Sequence, residues 1–237
     1  MAKRLMVVGA HSADFVWRAA GAIATSVQGG GEALVVALSF GERGESGELW
    51  KEPGQTVERV KDIRRAEAVA ACDVLGARFY EMDLGDYPLL AGPDVEEQLA
   101  ELIREFAPDV LVTHPKDDPY NPDHPVAHRV ATRARLLAAG AGVSAGFATV
   151  RPSELLAFEP HQPELCGFTP TVFLDITAVF KLKKQAMAEM RAQRYLQQYY
   201  AERAEHRGNH ARKVTGRQEI RQAEAFQRLL PNVVEAL

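Results

Sequence analysis

Through its first 140 residues the chain alternates short apolar runs with stretches long enough for several helical turns. No other feature of the sequence limits the fold as strongly. The runs are RLMVVGA (4–10), EALVVALSF (32–40), ARFYEMDL (77–84) and PDVLVTH (108–114). Helices are predicted over 15–28, over 56–76 with Gly76 as C-cap, over 94–106, and from the polar stretch PKDDPYNPDHPVAH through about 139. Strand, loop and helix in repetition imply parallel strands, right-handed crossovers and helices on both faces, hence an α/β fold with a mostly parallel sheet. Ligands bind such sheets beyond the carboxyl ends of their strands. The polar loops after the first, second and fourth strands all fall at that edge. The loop after the first strand has no GxGxxG, so nothing supports dinucleotide binding.

After Gly146 the pattern changes. SELLAFEPHQP and PTVFLDIT read as two further strands at the sheet edge or capping it. A long helix from Val179 to about Arg207 and a shorter one over 217–229 form a C-terminal helical extension. Met187, Met190, Tyr195, Leu196 and Tyr199 give it a packing face that covers the core or makes an oligomer contact. Without an internal repeat or a low-complexity linker, residues 1–237 are expected to form one domain, and a homo-oligomer is expected.

The net charge is −4 and the isoelectric point about 6.0, which gives no basic balance for nucleic acid or an anionic membrane. Cys72 and Cys166 lack CxxC spacing and read as reduced, buried thiols. MAKRLMVV has no apolar leader core, and no run is long enough to span a bilayer. The expected setting is cytoplasmic, with neither membrane nor nucleic acid as partner.

Seven histidines are present: His11, His114, His124, His128, His161, His206 and His210. His11 and Asp14 form an H-x-x-D pair where the first strand gives way to helix. NPDHPVAH supplies Asp123, His124 and His128 after the fourth strand. Two histidines and one carboxylate from separate strand ends leave an open fourth position, as in catalytic zinc sites. His128 lies one turn beyond His124 and competes with it as ligand, though a place beside the site or on the helix surface suits it better. His206 and His210 lie at a charged helix end and read as solvated.

H-x-x-D after the first strand, PDVLVTH in the middle and NPDH opening the next helix together resemble the LmbE-like (PIG-L) superfamily of zinc-dependent N-acetylsugar deacetylases. The resemblance covers roughly the first 160 residues. It implies a Rossmann-like sheet with Zn2+ held by His11, Asp14 and His124. Two departures stand out. Deacetylases of this superfamily usually read H-P-D-D-E, with the first Asp as general base, where this chain has His11-Ser12-Ala13-Asp14-Phe15. They usually read H-P-D-H at the second motif, where this chain has Asn121 in place of the leading His. General acid and base groups are each worth roughly 10²–10⁴ in rate, so efficient amide hydrolysis by the usual route is not expected.

AHSADFVWRAAGAIA, LSFGERGESGELW, DPYNPDHP and FEPHQPE resemble a branch of the same superfamily, the 4-oxalomesaconate hydratases of gallate and protocatechuate degradation. That resemblance implies water addition to a carbon–carbon double bond of a small anionic oxo-tricarboxylate. Such chemistry requires an electrophile, a base, an acid and cations for the carboxylates. Glu45 in GERGES is the expected base, with Glu42 and Glu48 as alternatives in the same loop. His161 in FEPHQP is expected to supply the acid or to stabilise charge. Arg43 and Arg18, then Lys116 and Asn121, are the expected carboxylate binders, since arginine pairs with carboxylates bidentately. Asp123 is expected to orient a ligating imidazole. Tyr87 and Tyr120 lie in loops at the same edge with no assigned role. The alternative reading is a zinc-dependent N-acetylsugar deacetylase.

Overall fold

In the computed structural model, which describes residues 3–143, 146–231 and 233, seven strands form one sheet. The strands are β1 (Leu5–Gly9), β2 (Ala33–Ala37), β3 (Arg78–Glu81), β4 (Val110–Thr113), β5 (Glu154–Phe158), β6 (Val172–Asp175) and β7 (Ala223–Arg228). Six α-helices accompany them: α1 (Asp14–Gln28), α2 (Val57–Leu75), α3 (Pro93–Phe106), α4 (Asp123–Ala139), α5 (Phe180–Glu189) and α6 (Leu196–Thr215). The sheet order is β3-β2-β1-β4-β5-β7-β6. β1 to β5 pair in parallel, and β7 runs antiparallel to both its neighbours.

The twofold alternation of side chains along each strand divides the core. Val7, Val35 and Val112 stand in register and face one layer with α1, α2, α5 and α6. Met6, Val8, Leu34, Val36 and Leu111 face the other, packed on α3 and α4. Both faces are covered, which is why the central runs are continuously apolar. α2 ends at Gly76 in the left-handed conformation (φ 71°), as its sequence predicts.

α1 is buried from Asp14 through Ala24, so its polar groups need partners inside the protein. One pair of charged side chains meets that need. Glu224 on β7 accepts from the amides of Gly21 and Ala22, both at 2.8 Å, and from Lys183 Nζ at 2.6 Å. Lys183 on α5 in turn donates to the carbonyl of Trp17 at 2.9 Å. Gly21 leaves the room required: a Cβ there would come within 2.6 Å of Ile176 and 2.9 Å of Glu224.

The C-terminal third departs from expectation at three points. Residues 217–229 do not form a helix; they contain β7, inserted between β5 and β6. EAFQR is made of helix-tolerant residues, and pairing on both sides overrides that weak preference. β5 accordingly lies inside the sheet rather than at its edge. The long helix from Val179 is broken after Glu189 by a turn at Arg191–Gln193, and α6 begins only at Leu196. Cys72 and Cys166 are buried free thiols. Among the described residues, no helix is long and apolar enough to cross a membrane.

Candidate active site

The loops after β1, β2, β4 and β5 converge at the carboxyl edge of the sheet, and the turn between α5 and α6 closes over them. Each loop is tied to its neighbours. Ser12 Oγ donates to the Phe40 carbonyl at 2.9 Å and Ser39 Oγ to that of Ala10 at 2.8 Å. Gly41 adopts φ 71°, and a Cβ on it would lie 3.1 Å from that of Glu45 and 3.2 Å from that of His11. Only glycine allows this turn to bring the second loop so close to the first.

His11, Asp14 and His124 come together with their ligand atoms within 4.8 Å of one another, all buried. His11 Nε2 donates to Asp123 Oδ2 at 3.2 Å, which leaves Nδ1 as a bare lone pair. His124 Nδ1 donates to Asp118 Oδ2 at 2.7 Å, which leaves Nε2 bare. Both bare nitrogens are buried, and among the described residues neither has a hydrogen-bond partner. Nδ1 of His11 lies 3.7 Å from Asp14 Oδ2, and Nε2 of His124 lies 3.8 Å from Asp14 Oδ1. Buried lone pairs converging on a carboxylate suit a cation, and a carboxylate behind each imidazole is the usual way a metal-ligating ring is held. A second cluster, His11 with Asp86 and Asp123, is less suited. Asp86 already accepts from the amides of Arg43 and Gly44, and Asp123 from those of Tyr87 and Leu89.

Glu45 reaches over the first cluster. Its Oε1 lies 3.6 Å from His11 Nδ1 and 4.0 Å from His124 Nε2. Asn121 Nδ2 donates to that oxygen at 2.7 Å and Gln193 Nε2 to the other at 3.1 Å. Burial opposes ionisation of Glu45, and His11, His124 and Arg18 more than reverse it, so its pKa is lowered. Burial likewise opposes charge on Asp14, and the His114 imidazole and Arg18 guanidinium hold it well below the usual carboxylate range. Burial disfavours a charged His11, yet Glu45, Asp123 and Asp14 lift its pKa to about 9, a measure of how strongly this position attracts positive charge.

His114, which closes β4, was not expected at the centre. It is fully buried and stacks on His124 with ring centroids 3.9 Å apart. Its Nε2 lies 3.0 Å from the Ala10 amide and 2.9 Å from Asp14 Oδ2, able to accept from the first or donate to the second. Burial and the neighbouring His124 push its pKa down to about 3. Asp118 was also missed, although it stands in PKDDP only six residues before His124. His128 turns away from the cluster, its Nδ1 bonded to the His114 carbonyl at 2.8 Å.

A cavity of about 300 Å³ opens onto the cluster, lined by Arg18, Glu45, Tyr87, Asn121, His124 and His161 among others. Arg18 bonds Asp14 through one terminal nitrogen, and its buried Nε has no hydrogen-bond partner among the described residues. His161, in the loop after β5, meets the Tyr200 hydroxyl through Nδ1 at 2.7 Å. Burial, with Arg18 nearby, pushes its pKa down to about 4. Arg43 and Lys116 stand apart from this group: both are exposed and neither lines the cavity. Arg43 is turned back onto its own loop, with Nη1 donating to the Asp86 carbonyl at 3.0 Å. Glu42 is buried away from the cavity, and Glu48 lies on the exposed side of the same loop. Asp123 sits behind His11, not behind His124.

The match of residues 6–135 to the PIG-L family model, described as GlcNAc-PI de-N-acetylase, agrees with this sheet and this cluster. The chain belongs to the PIG-L family. Within it, the chain is 45% identical over 238 residues to the 4-oxalmesaconate hydratase of Pseudomonas putida KT2440, covering 99% of this chain and 92% of that protein. The crystal structure of GalB, the 4-carboxy-2-hydroxymuconate hydratase from the same strain, superposes with a TM-score of 0.96 over 99% of both chains. The 1D-myo-inositol 2-acetamido-2-deoxy-alpha-D-glucopyranoside deacetylase of Thermomonospora curvata is 31% identical over 185 residues, 65% of this chain and 62% of that protein.

Proposed function

We propose that this single-domain chain is a zinc-dependent hydro-lyase. It adds water to the carbon–carbon double bond of 4-oxalomesaconate, giving 4-carboxy-4-hydroxy-2-oxoadipate in aromatic acid catabolism. Full-length similarity to a hydratase supports the reading. The observation that carries it is the position of Glu45, whose carboxylate overhangs the His11–Asp14–His124 cluster while position 13 contributes only a methyl group.

His11 Nδ1, Asp14 and His124 Nε2 would hold the ion. Zinc, when bound, supplies a Lewis acid for an oxygen of substrate or water. The chain's own groups do the rest. Glu45, ionised and fixed at both oxygens, takes a proton from the water whose oxygen joins one alkene carbon. The other alkene carbon needs a proton, and His161 is the group for it. Burial keeps Tyr200 protonated against the opposing pull of Arg18, so its hydroxyl donates to His161 Nδ1 and leaves Nε2–H to the cavity. The carboxylates of a bound substrate add negative charge beside this imidazole and move it back toward protonation. Arg18, with its free Nε, reads one carboxylate. Asn121 faces Glu45 and so serves the base before it serves the substrate.

Zinc-loaded protein is expected to abolish the ultraviolet absorbance of 4-oxalomesaconate with saturation kinetics, and Glu45→Gln to lower kcat about 10²–10⁴-fold. Unchanged absorbance with the wild-type protein refutes the hydratase reading. Release of acetate from N-acetylglucosamine conjugates would replace it with the deacetylase.

A further inference from the structure

Gln193 sits in the turn between α5 and α6, beyond residues 6–135 matched by the family model. It is buried, yet its side chain lies at the cavity wall. Its Oε1 accepts from Trp17 Nε1 at 3.1 Å and from Arg64 Nη2 at 3.3 Å. An indole and a guanidinium only donate, so the oxygen must face them and the amide cannot flip. Nε2–H is thereby aimed at Glu45 Oε2, 3.1 Å away. The supports are themselves fixed. Arg64, fully buried, donates to the Phe40 carbonyl and to Glu67, and Glu67 accepts from the amide of Ala192 at 2.9 Å. Asn121 repeats the device on the other oxygen: its Oδ1 accepts from the Asp123 amide at 3.1 Å, which directs Nδ2 to Glu45 Oε1.

We infer that Gln193 is a positioning residue for the Glu45 carboxylate, the second jaw of an amide clamp whose first jaw is Asn121. The inference rests on Glu45 as the base of the proposed reaction. The clamp fixes the direction in which the carboxylate presents its lone pairs, and it makes the α5–α6 turn part of the site rather than a cover over it. A base misplaced by about 1 Å loses on the order of 10² in rate, without a matching change in binding.

Gln193→Glu is the test, because it keeps an acceptor for Trp17 and Arg64 and replaces only the donor facing Glu45. The expected result is a 10- to 100-fold fall in kcat for 4-oxalomesaconate hydration with KM changed less than threefold. In a Glu45→Ala background, the same substitution should cost no further activity. Equal losses in both backgrounds would make Gln193 merely structural and overturn the inference. Crystal structures of wild type and Gln193→Glu supply a readout independent of turnover. The Glu45 carboxylate is expected to swing by more than 1 Å, and an unmoved carboxylate likewise overturns the inference. Wild-type protein inactive on this substrate, with the carboxylate displaced in the variant, would refute the substrate and leave the clamp standing.

Discussion

Removing Glu224 is expected to unfold this protein more readily than any loss of apolar contact at the same position would. Glu224→Ala deletes the acceptor of Lys183 Nζ and of two helix amides. Stranding one member of a buried ion pair costs about 3–5 kcal/mol. The two amides each lose a hydrogen bond to a charged group, worth about 1.5–3 kcal/mol. Water entering the space left by the side chain offsets part of this, so a net loss of about 4–6 kcal/mol is expected, against total stabilities of about 5–15 kcal/mol. Equilibrium urea unfolding followed by circular dichroism measures it. The informative control is Lys183→Met with Glu224→Leu. Replacing both members of a buried pair by apolar residues is often neutral. Here it would still remove the side-chain acceptor of the Gly21 and Ala22 amides and the side-chain donor to the Trp17 carbonyl. The double variant is therefore expected to remain at least about 2 kcal/mol below wild type. A double variant as stable as wild type would refute the claim that the pair serves the backbone of α1.

His11→Ala and His124→Ala are each expected to abolish binding of one zinc ion per chain, measured by elemental analysis after gel filtration. A chelator should lower the unfolding temperature of wild type and leave those two variants unchanged. Glu42 predicts a pH effect of definite sign. Burial and the like charge of Asp86 raise its folded-state pKa above 4.5, outweighing Lys61 Nζ, 3.9 Å from one of its oxygens. Below pH 4.5 the group is protonated in both states and costs little. As pH rises, the unfolded chain ionises first, so native stability falls until the folded-state pKa is passed. Glu42→Gln is expected to melt higher than wild type at pH 8, by about 2–4 °C per kcal/mol gained, and the difference should vanish near pH 4. A difference that does not depend on pH would exclude the ionisation of Glu42 as its cause.

The parallel half of the fold was legible because burial on both faces leaves an unmixed apolar run, and each such run here ends in a loop. His11, Asp14 and His124 were legible for a related reason, since strand exits in such a sheet converge and two motifs from two exits have to meet. Local pattern failed where partners come from afar. β7 reads as helix because nothing in EAFQR reveals that β5 and β6 will flank it. Arg43 and Lys116 stand in the right loops, but a side chain's direction depends on the loop path, and Asp86 holds Arg43 elsewhere. Gln193 joins Glu45 across 148 residues of sequence, and no spacing rule reaches that far.

The position of β7 bears on the order of folding. Among the described residues β6 has only β7 as a sheet neighbour, although it precedes β7 by about fifty residues. During synthesis β6 therefore waits as an unpaired edge, a template for aggregation, until residues 223–228 arrive. The same strand delivers Glu224 to a helix made near the start of the chain. Early and late segments thus lock together in one step, and a ribosome stalled before residue 223 would hold a chain that has most of its sheet but no closed end.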